Sequence, residues 1–114
     1  MTPLRLAKLC ANFANDKKAE GIQVLDMRKV VNFCDYFVLC TGNTDRQVRA
    51  VADGIDEGLR QKGLKISLKE GYREGHWVLL DLGTVVIHIF VKDLRDFYNL
   101  DYLWQEAKKV KWEK

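Results

Sequence analysis

Apolar positions along the chain change period several times, and each change predicts an element. Leu6, Leu9, Cys10 and Phe13 recur at helical spacing behind Thr2-Pro3, a capping side chain followed by proline at the first helical position. A helix over 3–15 is expected. Ile22 to Asp26 reads as a short strand and residues 27–35 as a loop. Tyr36-Phe37-Val38-Leu39-Cys40 is a continuous apolar run, as in a strand covered on both faces. Thr44 with Gln47 three residues on forms a capping box. Behind it Val48, Val51, Ala52, Ile55 and Leu59 make one stripe, closed by Gly63, which predicts a helix over 45–62. Gly54 and Gly58 inside it each cost about 1 kcal/mol relative to alanine. They either admit close backbone packing or are simply tolerated, and tolerance is the default.

Leu64, Ile66 and Leu68 alternate with polar residues, predicting a half-buried strand over 64–69. After a glycine-bracketed loop at 70–75, residues 76–81 and 85–91 read as a hairpin around Leu82-Gly83-Thr84. A helical C-terminal segment follows in two pieces, around 93–98 and 101–110, broken near Asn99. The order predicts one α/β domain over 1–114, a single mixed β-sheet packed with helices, with the 45–62 helix as the crossover to the 64–69 strand.

Parity sorts the hairpin into two faces. One is aliphatic: Val78, Leu80, Leu82, Val85, Ile87, Ile89 and Val91. The other carries Trp77, Leu79, Asp81, Val86, His88 and Phe90. Two turn registers give these same faces: one sets Trp77 opposite His88, the other Leu79. Asp81 and His88 are costly to bury without hydrogen bonds, and a solvated face seldom shows Trp77, Leu79 and Phe90 together. A protein-binding surface fits both facts; a second core layer under the C-terminal helices is the alternative. Eight of the twelve aromatics fall at or after Tyr72, more than a small domain readily buries, so some are expected to meet a partner or a second copy.

Composition narrows the classes. With 47% hydrophobic and 31% charged residues among 114, the chain is expected to fold. No apolar run reaches the roughly 18–20 residues of a membrane span, and no secretory signal is visible. Three cysteines, Cys10, Cys34 and Cys40, without C-x-x-C, predict buried thiols and a reducing, cytoplasmic setting. The net charge of +3 is placed at the ends: residues 1–20 hold four positive and two negative charges, and 107–114 hold four lysines against Glu113. A short basic C-terminal tail, solvated, is expected; contact with RNA is a secondary expectation.

Catalytic signatures are missing. No D-x-D pair is present to hold Mg²⁺, nor a P-loop, G-x-G-x-x-G or H-E-x-x-H. His76 and His88 stand without a patterned carboxylate or cysteine, and Cys34 and Cys40 without a paired base. No enzyme activity, cofactor, metal ligand or catalytic residue is expected.

Several motifs in order carry a resemblance: Asp35-Tyr36-Phe37-Val38; Thr41-Gly42-Asn43-Thr44-Asp45-Arg46-Gln47-Val48; Glu70-Gly71; Trp77-Val78-Leu79-Leu80-Asp81; Val86-Ile87-His88-Ile89-Phe90; and Arg95-Asp96-Phe97-Tyr98-Asn99-Leu100-Asp101-Tyr102-Leu103-Trp104. Over nearly its whole length the chain resembles the Iojap family, the bacterial ribosomal silencing factors. The resemblance implies a nucleotidyltransferase-like fold lacking the catalytic carboxylates. It implies binding to the fourteenth protein of the large ribosomal subunit at the intersubunit face, a block on subunit joining, and a homodimer. Trp77 and Leu79 are then expected to give apolar contact and Asp81 and His88 polar complementarity. Arg95, Tyr98, Leu100 and Trp104 extend or support that surface. Two positions depart from the family: Cys34, where a small polar residue is usual, and Asp101, where glutamate is usual. The shorter carboxylate puts its contact in question. The rival readings are a nucleotidyltransferase with an unrecognised metal site and a plain RNA-binding module.

Overall fold

A computed structural model describes residues 1–113; Lys114, the last charge of the expected tail, lies outside the described residues. The elements run α1 (Pro3–Asp16), β1 (Glu20–Asp26), β2 (Tyr36–Gly42), α2 (Asp45–Gln61), β3 (Leu68–Glu70), β4 (Trp77–Asp81), β5 (Val85–Val91), α3 (Lys92–Phe97), α4 (Leu100–Leu103) and β6 (Lys108–Val110). Both long helices start where the sequence places them. Thr2 Oγ1 accepts the Arg5 amide at 3.2 Å, and Thr44 Oγ1 accepts the Gln47 amide at 3.1 Å. Gln47 returns its Oε1 to the amide of Asn43, one residue before the cap, at 2.7 Å.

The six strands form one mixed sheet in the order β3-β4-β5-β2-β1-β6. Only β2 and β5 pair in parallel; the other pairs are antiparallel. The expected crossover is present: α2 carries the chain from β2 to β3, a strand parallel to β2 at the far edge, and the return through β4 brings β5 alongside β2. The expected strand over 64–69 shortens to Leu68–Glu70, because the chain bends at Ser67, whose amide donates to the Asp81 carbonyl at 2.8 Å. Leu64 and Ile66 pack on the core, but Leu68 turns to the opposite side. The expected helix over 101–110 is also corrected. It ends at Leu103, and Lys108–Val110 instead pairs with β1 as the sixth strand. The described part of the basic tail is therefore a sheet edge rather than a free end.

Two apolar layers sandwich the sheet. On one side α1 and α2 cover Val24, Val38, Cys40, Val78, Leu80, Ile87 and Ile89. On the other, Leu25, Phe37, Leu39, Val86 and Phe90 lie under Leu100, Ala107 and the 27–35 loop, which contributes Met27 and Cys34. Complete burial of a side chain such as Phe37 is worth about 1.5–3 kcal/mol. The continuous apolar run of β2 is explained by this double cover, since all seven of its residues are buried. Tolerance proves the wrong reading of Gly58 but not of Gly54. A Cβ at Gly58 would stand 2.7 Å from the Phe13 ring of α1, so the bare backbone admits that ring. At Gly54 the displaced neighbour is only the flexible Lys17 stem. The three cysteines are free and buried, and burial pushes the Cys10 and Cys40 thiols up to about 12 and Cys34 to about 11.

Candidate interaction face

Hairpin register decides which side chains share the second face. Leu79 pairs with His88, Trp77 with Phe90 and Asp81 with Val86, the register set by a turn centred on Gly83-Thr84. Gly83 adopts a φ of +89°, and its amide donates to Asp81 Oδ1 at 2.7 Å. One Asp81 oxygen thus closes the turn, while the side chain stays half-buried at the rim. At the other end of β4, a Cβ on Gly71 would collide with the Trp77 carbonyl, so only glycine lets the preceding loop lie against the strand there.

An aromatic row crosses this face. Trp77 is 41% exposed, and its indole N–H donates to His88 Nδ1 at 3.1 Å. That bond fixes the neutral imidazole with its proton on Nε2. His88 is only 6% exposed, and burial pushes its pKa down to about 4. Phe37 meets His88 edge-on at 4.6 Å and Trp104 edge-on at 5.0 Å, and Trp77 lies 5.0 Å from Phe90. His88 Nε2 and Trp104 Nε1 are both buried without a hydrogen-bond partner among the described residues.

The expected site residues therefore fall into two groups. Trp77, Leu79 and Asp81 on β4 remain open to solvent in part. His88 does not: it is packed beneath Trp77 and Trp104 and supports the face from below, correcting its expected role as a polar contact. Arg95 and Leu100 are likewise buried and serve as support. The Arg95 guanidinium donates to the Gly21 carbonyl at 2.8 Å and to Asp101 Oδ1 at 2.7 and 3.2 Å. The carboxylate at position 101, short as it is, reaches the Arg95 guanidinium. Trp104 is half-buried over Phe37, and Tyr98 is exposed, edge-on against Phe97 at 5.0 Å.

Sequence reading missed Leu68. It is 48% exposed and stands opposite Asp81 on β3, with Glu70 opposite Leu79, so both lie on the Trp77 face. The only sequence signal is Ser67, where the chain bends, and a pure alternation rule reads through it. Phe97, Tyr102, Leu103 and Phe33 are also exposed. An open aromatic rim over a closed aromatic floor has the composition typical of the centre of a protein contact surface.

Comparison with known proteins decides the family. The model for the family described as ribosomal silencing factor during starvation matches residues 1–114. The chain belongs to the ribosomal silencing factor family. Ribosomal silencing factor RsfS of Halalkalibacterium halodurans is 41% identical over 113 residues, covering 99% of this chain and 97% of that protein. The Bacillus subtilis factor is 43% identical over 107 residues, covering 94% and 91%. A solved Chromobacterium violaceum protein superposes with a TM-score of 0.88 at 32% identity, covering 97% of this chain and 92% of that one. A Bacillus halodurans crystal structure gives 0.83 at 40% identity, covering 95% and 98%. Ribosomal silencing factors regulate translation and are not enzymes. Among the described residues no helix is long and apolar enough to cross a membrane.

Proposed function

We propose that this ribosomal silencing factor binds the large ribosomal subunit through its fourteenth protein and sterically blocks joining of the small subunit. The observation that carries this reading is the uncovered strip of β4, with Trp77 open beside Leu79, Asp81 and Leu68 while the rest of the same face is closed under α3 and α4. A rigid strand presents an aromatic anchor at little entropic cost. Steric occlusion needs no reaction centre. When free, the chain pairs with a second copy, and the exposed Phe97, Tyr98, Tyr102 and Leu103 offer apolar surface for it.

The test is sedimentation with separated subunits followed by a subunit-joining assay. Wild-type protein is expected to travel with large subunits only and to lower the yield of joined ribosomes. Trp77→Ala is expected to weaken that binding by about thirtyfold or more while the protein stays folded. Unchanged co-sedimentation of the variant would count against the β4 strip. For the nucleotidyltransferase reading the discriminating measurement is calorimetric titration with a nucleotide and Mg²⁺, where saturable binding would revive it.

A further inference from the structure

We propose that the basic recess where α1 meets the C-terminal end of α2 grips the phosphodiester backbone of ribosomal RNA as a second anchor. The sequence shows two separate positive ends; the fold ties the backbone of the second to the first. Asn12 on α1 donates its side-chain amide to the Trp112 carbonyl at 3.2 Å, and the Trp112 indole donates to the Ile22 carbonyl at 3.3 Å. The chain after β6 is thereby tied to both α1 and β1. Asn12 also lines a recess with Arg5, Lys8 and Lys62, which contains no carboxylate. Beyond Trp112 the surroundings differ: Lys109 stands opposite Leu25, on the other side of the sheet and beside Asp101, so it lies outside this recess.

Arg5, Lys8 and Lys62 make no ion pair with a described residue, so nothing on the protein competes for them. Unpaired, solvent-reaching Lys and Arg without buried hydrogen-bonding groups around them suit a polyanion contacted without sequence selection. The inference rests on the docking reading above, because on a ribosomal subunit that polyanion is RNA.

Three proteins decide it: wild type, the triple variant Arg5→Gln/Lys8→Gln/Lys62→Gln, and Trp77→Ala. Each is measured by filter binding to naked large-subunit rRNA and by sedimentation with intact large subunits, across a KCl series. The triple variant is expected to melt like wild type. It is expected to reduce the salt slope of rRNA binding by about 2–3 and to weaken subunit binding at low salt about tenfold or more. Trp77→Ala is expected to lose subunit binding with its rRNA slope intact. A triple variant with wild-type rRNA affinity and slope overturns the inference. So does one weakened on subunits but unchanged on rRNA, which would assign the basic recess to an acidic protein. If wild type ignores subunits altogether, the docking reading fails, and the rRNA arm alone decides the basic recess by the same slope criterion.

Discussion

His88 lies between two tryptophans and meets them differently. It accepts a hydrogen bond from the Trp77 indole N–H and packs its ring toward Trp104, leaving its own Nε2 proton buried and unpartnered. Charging this imidazole in the folded state is opposed by burial, which pushes its pKa from the ordinary 6.5 to about 4. Between those values the unfolded chain binds a proton that the folded chain refuses, so stability rises with pH across the window and levels off above it. The contribution reaches about 3 kcal/mol at full extent. His88→Gln is expected to flatten this part of the stability-against-pH curve, measured by urea unfolding from pH 4 to 7; an identical curve would place the sensitivity elsewhere. Parity along the strand revealed on which face His88 stands. It did not reveal what covers that face, because the cover comes from α4, folded back from more than ten residues further along. The turn bond of Asp81 was equally hidden: it depends on which of two registers the hairpin takes, and both give the same faces.

Short elements carry the support of this face, and there the sequence was hardest to read. The helix of α2 was legible from its cap, stripe and closing glycine, all local signals. α4 and β6 were not, since a four-residue helix has too few turns to show a period and a three-residue strand is decided by the edge it finds on β1. Arg95 explains how α3 and α4 stay in place, joining the β1 backbone at Gly21 to Asp101 across the αL break at Asn99. Arg95→Ala leaves the Gly21 carbonyl and Asp101 without their donor and is expected to cost about 2–3 kcal/mol. Asp101→Asn keeps an acceptor in position on a half-exposed partner and is expected to cost about 1 kcal/mol or less. Denaturant unfolding of the two variants checks the ranking, and equal losses would remove the clasp from the account. Leu68 on β3 makes a complementary case. Its side chain is half in water, so Leu68→Glu is expected to leave the melting temperature nearly unchanged yet weaken large-subunit binding about tenfold, as an apolar contact at the Asp81 end of the same strip would.

Across the whole molecule, one sheet serves two purposes because its second face is only partly covered. Helices α1 and α2 close the first face over β2, β4 and β5; α3, α4 and the 27–35 loop close the second over β1, β2 and β5 but leave β4 and β3 open. The sequence placed a core face and a mixed face on one hairpin but left open whether the mixed face was core or contact, and the fold makes it both, divided between neighbouring strands. The arrangement depends on β6 at the far edge. That strand covers β1, brings Val110 and Trp112 against the first core layer, and ties the chain to α1 through Asn12. Truncation after Ala107 uncovers the outer edge of β1 and removes one half-buried tryptophan and one half-buried valine, a loss of about 2–4 kcal/mol. For a domain of this size the melting temperature is expected to fall by about 8–16 °C. The exposed strand edge is also expected to make the truncated chain associate with rising concentration in sedimentation velocity, since an unpaired edge is a template for another chain. Trp77 sits at the other edge, so large-subunit binding, measured well below the new melting point and corrected for the lost basic end by working at high salt, is expected to survive. A truncated chain that melts and sediments like the full one would show that the sixth strand stabilises nothing.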